Sequence, residues 1–348
     1  MSDQISTFSI RRVGHRLQSL GRAGEWWGYK LSPILATAYA TVSLSRLPLW
    51  PFLSTLGLLL LALAIGAVYV SILNDWTDRA IDRAAGKVNR LSGKSAGFVG
   101  VALSLCIGIG LGFGYYFWSL DPVISFCYLG AWVAYSLYSI PPARLKIRGF
   151  AGVLADASGA HLFPQLLTIA FLSHATRQTV PVGWWLAVGG WSLACGLRNI
   201  LWHQLSDVAA DRQAGIDTYV TRLGEQKARQ VGRLLIFPIE GLTFTALLLL
   251  MNQPIPLVAL LFYGLLEAGR WRLWGLKPEV LAPNQRIILN EYYTLLFPLS
   301  ILIGQTLTYP ADGVLLLLHL LLFGTHSPQT WRDLGAVVRL MVRKLAGR

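Results

Sequence analysis

Residues 50–82 read WPFLSTLGLLLLALAIGAVYVSILNDWTDRAID, a long apolar run that ends in Asn74, Asp75, Asp78 and Asp82. About 20 apolar residues of helix cross about 30 Å of hydrocarbon, so the run predicts a membrane span with acids at its exit. The arrangement returns at 183–211, where an apolar segment gives way to Asp207-Val208-Ala209-Ala210-Asp211, followed by Arg212 and Gly215. Each cluster stands where a helix leaves hydrocarbon for a basic loop. Carboxylates at that depth are costly to desolvate, so these acids call for a compensating cation.

The rest of the chain repeats the apolar theme. Its 348 residues are 54% hydrophobic and only 14% charged, with a mean hydropathy of +0.51, which excludes an ordinary soluble globule. Spans can be laid at 31–48, 50–74, 96–118, 122–141, 149–173, 183–205, 232–252, 254–269 and 287–308. The expected fold is therefore all-α, a polytopic membrane bundle of about nine transmembrane helices. A further apolar piece, Val314 to Phe323, is too short to cross unaided and reads as interfacial or re-entrant. Three regions follow: a basic N-terminal segment over 1–30, a transmembrane domain over 31–308, and a C-terminal part over 309–348. No polar stretch between spans is long enough for a second soluble domain.

Loops that stay inside retain Lys and Arg. With the N-terminus inside, the inside segments hold 22 of these residues, whereas the outside loops hold only Arg46 and Arg177. Both acidic clusters then face the cytoplasm, and the expected location is a bacterial cytoplasmic membrane. The net charge of +13 is mostly this topology signal, which argues against a nucleic-acid partner. A basic inner face instead attracts anionic membrane lipids and diphosphates. Cys106, Cys127 and Cys195 fall inside spans without metal-ligand spacing and read as packing residues.

On a helix, steps of three, four and seven residues put Asn74, Asp75, Asp78 and Asp82 within about one third of the circumference. Asp207 and Asp211 repeat the spacing, and the same stride backward reaches His203 and Asn199. Like charges so close repel unless a cation intervenes, and Mg²⁺ is the natural one. It takes few carboxylates, several waters and the oxygens of a substrate phosphate, which suits two clusters facing one diphosphate. A single cluster would read equally well as solvated acids paired with Arg79, Arg83 or Arg212. Two on the same side argue against that.

These residues resemble the UbiA superfamily of intramembrane prenyltransferases. Its first motif, N-D-x-x-D-x-x-x-D, is met at Asn74, Asp75, Asp78 and Asp82. Its second, D-x-x-x-D with a following glycine and threonine, is met at Asp207, Asp211, Gly215 and Thr218. A third, Y-S-x-P-P-x-R-L-K, runs from Tyr138 and Ser139 to Arg144 and Lys146, or in looser register from Tyr135. The chain departs where members often carry N-K-P-x-R-P, reading Ala85 to Lys94 without prolines, and it has Lys30 where an arginine is common.

The resemblance implies a helical bundle around a central cavity open sideways to lipid. It implies Mg²⁺-dependent transfer of an isoprenoid group from a prenyl diphosphate to an aromatic or other lipophilic acceptor, through an allylic carbocation. Asn74, Asp75, Asp78, Asp207 and Asp211 would hold the metal. Asp75, Asp78, Asp207, Asp211 and Lys146 would be catalytic, with Asn74, Asp82, Tyr135, Tyr138, Ser139, Arg144 and Lys30 contacting substrate. Ionisable groups within spans are candidates by default, which adds Arg198, Asn199 and His203 to the substrate contacts. Asp156, His161, Gln165, Asn290 and Glu291 are further candidates on the acceptor side. Within the superfamily, terpene cyclisation or phosphoribosyl transfer to a polyprenyl phosphate would use the same diphosphate site. A cation-coupled transporter would instead place its charges near the midplane.

Overall fold

The computed structural model describes residues 23–84, 86, 88–282, 286–324, 330–336 and 339, and the described residues contain helices and no β-strand. We number the helices α1 (23–44), α2 (Leu53–Ala84), α3 (Ala96–Leu120), α4 (Pro122–Ser139), α5 (150–176) and α6 (Val182–Gln213). They continue as the short α7 (Tyr219–Leu223), then α8 (225–251), α9 (Pro254–Trp274), α10 (292–308) and α11 (Gly313–Phe323). Each expected span overlaps one of these helices, with ends that differ by up to ten residues, since α2 runs to Ala84, past the expected 74. Three helical stretches, Trp50–Ala84, Ala96–Leu120 and Glu225–Met251, are long and apolar enough to cross a membrane on those grounds alone. The basic segment before residue 23 lies outside the described residues.

α1 packs on α5 and α10, α4 on α2, α3 and α5, and α6 on α5 and α8. Between apolar helices in lipid there is little hydrophobic drive, so close approach depends on small residues. Gly196 of α6 lies against α5 so tightly that a Cβ there would meet the Ala157 backbone at 2.9 Å. Gly110 of α3 receives the Trp132 ring of α4, which a Cβ would meet at 2.4 Å. Trp132 is in turn stacked on Tyr69 of α2 at 4.5 Å, so three helices converge on one indole.

Among the described residues, five-residue π turns lie within α1, α5 and α8 at Trp27–Leu31, Ser158–Leu162 and Gly232–Ile236, and open α10 at Tyr292–Leu296. Each is followed two residues later by a proline: Pro33, Pro164, Pro238 and Pro298. Proline brings no N–H and its ring crowds the carbonyl four residues before it, so the preceding turn widens instead of breaking. In lipid the rest of the helix must keep its hydrogen bonds, which favours this local adjustment over an open break. The turns of α1, α5 and α10 carry Lys30, His161 and Tyr293 respectively.

The last elements are tied down by polar contacts. The Asp312 carboxylate accepts hydrogen bonds from the backbone N–H of Leu49 and Trp50 at 2.8–2.9 Å. His319 of α11 meets Tyr39 Oη at 3.2 Å and Ser32 Oγ at 3.4 Å, both on α1. Fully buried Arg270 of α9 donates to Glu267, Glu291 and Asp333, joining the 330–336 helix to the bundle.

Gly110→Leu should force Trp132 out of its slot and lower the melting temperature of the detergent-solubilised protein. Overpacking of this kind costs about 1–3 kcal/mol; unchanged melting would mean that the indole has room to swing away.

Candidate active site

The exit of α2 carries the first acidic stripe. Asp75 is buried, while Asn74, Asp78 and Asp82 are half-buried along the same face. At the exit of α6, Asp211 is buried and Asp207 is exposed. Tyr138 of α4 lies within electrostatic range of both Asp78 and Asp211. The next residue, Ser139, lies with its Oγ 3.5 Å from Asn74 Oδ1. The end of α4 therefore adjoins the first cluster.

The loop after α4 brings the positive charge. Arg144 Nη2 donates to Asp78 Oδ1 at 3.2 Å, and Lys146 Nζ donates to the same oxygen. Arg144 holds a left-handed backbone, φ 36°, a costly state for a residue with a side chain and one found at functional turns. Burial lowers the pKa of the Lys146 ammonium, and the Asp78 carboxylate opposes that shift. Arg222 donates to the Ile147 carbonyl at 3.0 Å, fastening this loop to the one that follows α6. There the chain turns through Gly215, φ 64°, as Ile216 N donates to Asp211 O at 2.8 Å. Thr218 then caps α7, its Oγ1 accepting from Thr221 N at 3.3 Å.

Asp82 sits differently from the rest of its motif. Its carboxylate accepts from Asn89 Nδ2 at 2.7 Å, and the same nitrogen reaches the Asp75 carbonyl at 2.7 Å. Arg79 donates to the carbonyls of Leu91 and Lys94. Asp82 and Arg79 thus hold Asn89, Leu91 and Lys94 of the loop that follows α2.

Below the cluster lies a cavity of about 350 Å³. Asn74, Tyr138 and Ser139 mark its mouth, Tyr135 lines its wall, and Trp132, Tyr128 and Leu63 enclose its apolar part. A second cavity of about 850 Å³ lies beside it, lined by more polar groups such as Asn199, Asn290 and Gln165. Lys30, Ile34, Ala160 and His203 border both and form the partition. Of the residues expected from sequence, Asn74, Tyr135, Tyr138 and Ser139 line the first cavity, and Asp78 is joined to Arg144 and Lys146. Lys30 and His203 stand in the partition, and Arg198 and Asn199 line the second cavity.

Arg198 is heavily engaged. Its Nε and Nη2 donate to Glu240 of α8 at 2.6 and 2.7 Å, and Nη1 donates to the carbonyls of Val280 and Ile288 at 3.3 and 3.1 Å. Tyr293 Oη completes the Glu240 carboxylate at 3.0 Å. The charge of Glu240 inside the 232–252 span was the signal that would have found this partner. Trp132 was missed too, although residues 128, 132 and 135 recur at helical spacing along one face.

Among the described residues no three His, Cys, Asp or Glu converge into a ready-made metal cage. Mg²⁺ keeps waters and takes one or two carboxylates together with substrate phosphates. The donor atoms offered by Asn74, Asp75, Asp78, Asp207 and Asp211 are all hard oxygens, the chemistry Mg²⁺ prefers over nitrogen or sulfur.

Glu240→Ala should strand a buried guanidinium and cost about 3–5 kcal/mol, reducing the yield of folded protein. An Arg198→Met, Glu240→Leu pair should recover folding. A folded pair whose KM for the diphosphate donor stayed within about threefold of the unaltered protein would fit a clamp; a tenfold rise would make Arg198 a substrate contact.

Residues 31–282, which include both acidic clusters, match the UbiA prenyltransferase family. The lycopene elongase/hydratase of Halobacterium salinarum is 29% identical over 206 residues, 59% of this chain and 70% of that protein. The lycopene elongase/hydratase of Haloarcula japonica is 31% identical over 105 residues, 30% of this chain and 33% of that protein. A solved UbiA homologue from Archaeoglobus fulgidus, bound to GPP and Mg²⁺, aligns with a TM-score of 0.55 at 15% identity, covering 84% of this chain and 99% of that one. The same homologue bound to DMAPP and Mg²⁺ aligns equally well. At that identity the likeness speaks for the fold, and it agrees with the bundle described above. Motifs, fold and the match across most of the chain converge: this protein belongs to the UbiA prenyltransferase family.

Proposed function

We propose that this membrane enzyme transfers an isoprenoid group from a prenyl diphosphate to a lipophilic acceptor, with Mg²⁺ as cofactor and diphosphate as leaving group. The observation that carries this reading is the neighbourhood of Tyr138. It has Asp78 and Asp211 in electrostatic range, and it stands at the mouth of an apolar cavity beside the Arg144 and Lys146 loop. Asn74, Asp75, Asp78, Asp207 and Asp211 would hold Mg²⁺. When bound, the metal supplies charge neutralisation on the departing diphosphate.

The protein's own groups do the rest. Arg144 offers phosphate oxygens a planar fork and Lys146 a point charge. In the structure both are turned to Asp78, so an arriving diphosphate exchanges one anionic partner for another. Ser139 and Tyr138 orient the donor at the mouth, and Tyr135 continues the wall inward. The apolar chamber excludes water, which would otherwise capture an allylic cation, and the faces of Trp132 and Tyr128 offer negative π density. Arg198 acts at a distance, holding the carbonyls of Val280 and Ile288.

Both relatives carry the name lycopene elongase/hydratase. That favours, within the lipophilic acceptors expected from sequence, an isoprenoid polyene that reaches the cavity from the bilayer. The acidic loops lie on the cytoplasmic side by the 22-to-2 charge bias. The membrane is the cytoplasmic one, bacterial on the sequence reading, although both relatives come from archaea.

Asp78→Ala and Asp211→Ala should each abolish Mg²⁺-dependent diphosphate release from dimethylallyl diphosphate with lycopene in liposomes, while the protein still inserts. Activity retained by both variants would overturn the assignment. Arg144→Ala and Lys146→Ala remove charge-assisted contacts worth about 1.5–3 kcal/mol each. Each should therefore raise KM for the donor about 10- to 100-fold and leave acceptor choice unchanged; an effect confined to the acceptor would contradict the phosphate role.

A further inference from the structure

Transfer of a prenyl cation to an unsaturated acceptor creates a second problem. Once the new C–C bond forms, the resulting cation must shed a proton, and the diphosphate held at the cavity mouth is one candidate to take it. A second is built into the wall. Asp156 of α5 is the one Asp or Glu among the described residues that line the first cavity.

Its position is set by packing. Asp156 lies just before the π turn at Ser158–Leu162, which Pro164 imposes. Within that turn Gly159 seats the Tyr135 ring, since a Cβ there would meet the ring at 2.8 Å. Asp156 lines the same cavity as Tyr135 and Tyr138 and lies in electrostatic range of both. On its other side it interacts with Lys30 and His203, two residues of the partition. His203 is exposed toward space that continues into the polar second cavity.

Resting on the prenyl-transfer reading, we infer that Asp156 is the proton acceptor of the reaction and that His203 and the polar second cavity form its exit route. The balance is complete. The donor C–O bond breaks with its electron pair leaving on diphosphate, and an acceptor π pair forms the C–C bond. A neighbouring C–H bond then gives its pair to a new C=C as its proton passes to an Asp156 oxygen. Handing that proton to His203, and on to water in the second cavity, restores the carboxylate without opening the dry chamber. Without an acceptor, the same carboxylate takes a proton from the donor cation itself and yields a terpene hydrocarbon.

The test uses the full-length protein in liposomes with Mg²⁺ and geranyl diphosphate alone, reading diphosphate, terpene hydrocarbons and terpene alcohols. A positioned base contributes about 10²- to 10⁴-fold. Asp156→Asn, nearly isosteric, should release diphosphate at a rate within about threefold of the unaltered protein while the hydrocarbon-to-alcohol ratio falls by about 100-fold or more. Asp156→Glu should restore part of that ratio. An unchanged ratio in Asp156→Asn, hydrocarbon lost only in proportion to diphosphate release, or alcohols alone from the unaltered protein would each overturn the role of Asp156. No diphosphate release from the unaltered protein would overturn the prenyl-transfer reading and this role with it.

Discussion

Charge compensation at the membrane edge governs this structure. Asp78 stands at the end of a hydrophobic helix, where an isolated carboxylate is costly, and it is matched by Arg144 and Lys146 from the loop after α4. That contact fixes the loop over the cavity mouth, and Arg222 fastens the loop to the segment after α6. Both acidic exits have Tyr138 in electrostatic range. An enzyme that must bind a diphosphate can use the same balance, since a neutralised cluster is stable without ligand and still presents cations to an incoming anion.

Deeper in the bundle the rule is the same but the result is permanent. Arg198 and Glu240 form a buried pair whose remaining donors and acceptor are satisfied by loop carbonyls and Tyr293. Removing one partner of such a pair is expensive, whereas replacing both with apolar residues is often tolerated. The pair therefore reads as a fastening of Val280 and Ile288 to α6 and α8. Arg270 does similar work one helix further, gathering Glu267, Glu291 and Asp333.

Much of this was legible in the residues. Apolar runs and the Lys and Arg bias predicted a helical membrane bundle, and the spacing of Asn74, Asp75, Asp78 and Asp82 placed them on one face. The prolines were visible, but not their effect: a π turn depends on how neighbours hold a helix together, and it decides where Lys30, Asp156 and His161 point. The division into two cavities was hidden as well, because it depends on which face of α5 and α6 meets α1. Asp82 matched the motif by spacing alone, while its engagement by Asn89 depends on a loop whose path no pattern specifies. Glu240 was open to the same argument as Arg198, since both are charges within spans. Their pairing, however, required two helices to be neighbours.

The central claim is that the α2 and α6 acids act together on one metal–diphosphate unit. Mn²⁺ in place of Mg²⁺ makes this directly measurable, by electron paramagnetic resonance with phosphorus hyperfine couplings, on the liposome-bound protein with a non-ionising prenyl diphosphonate. The account predicts a phosphorus coupling that appears only when the diphosphonate is added and that is lost both in Asp78→Ala and in Asp211→Ala. A coupling that survives in either variant, or manganese bound fully without the diphosphonate, would contradict it.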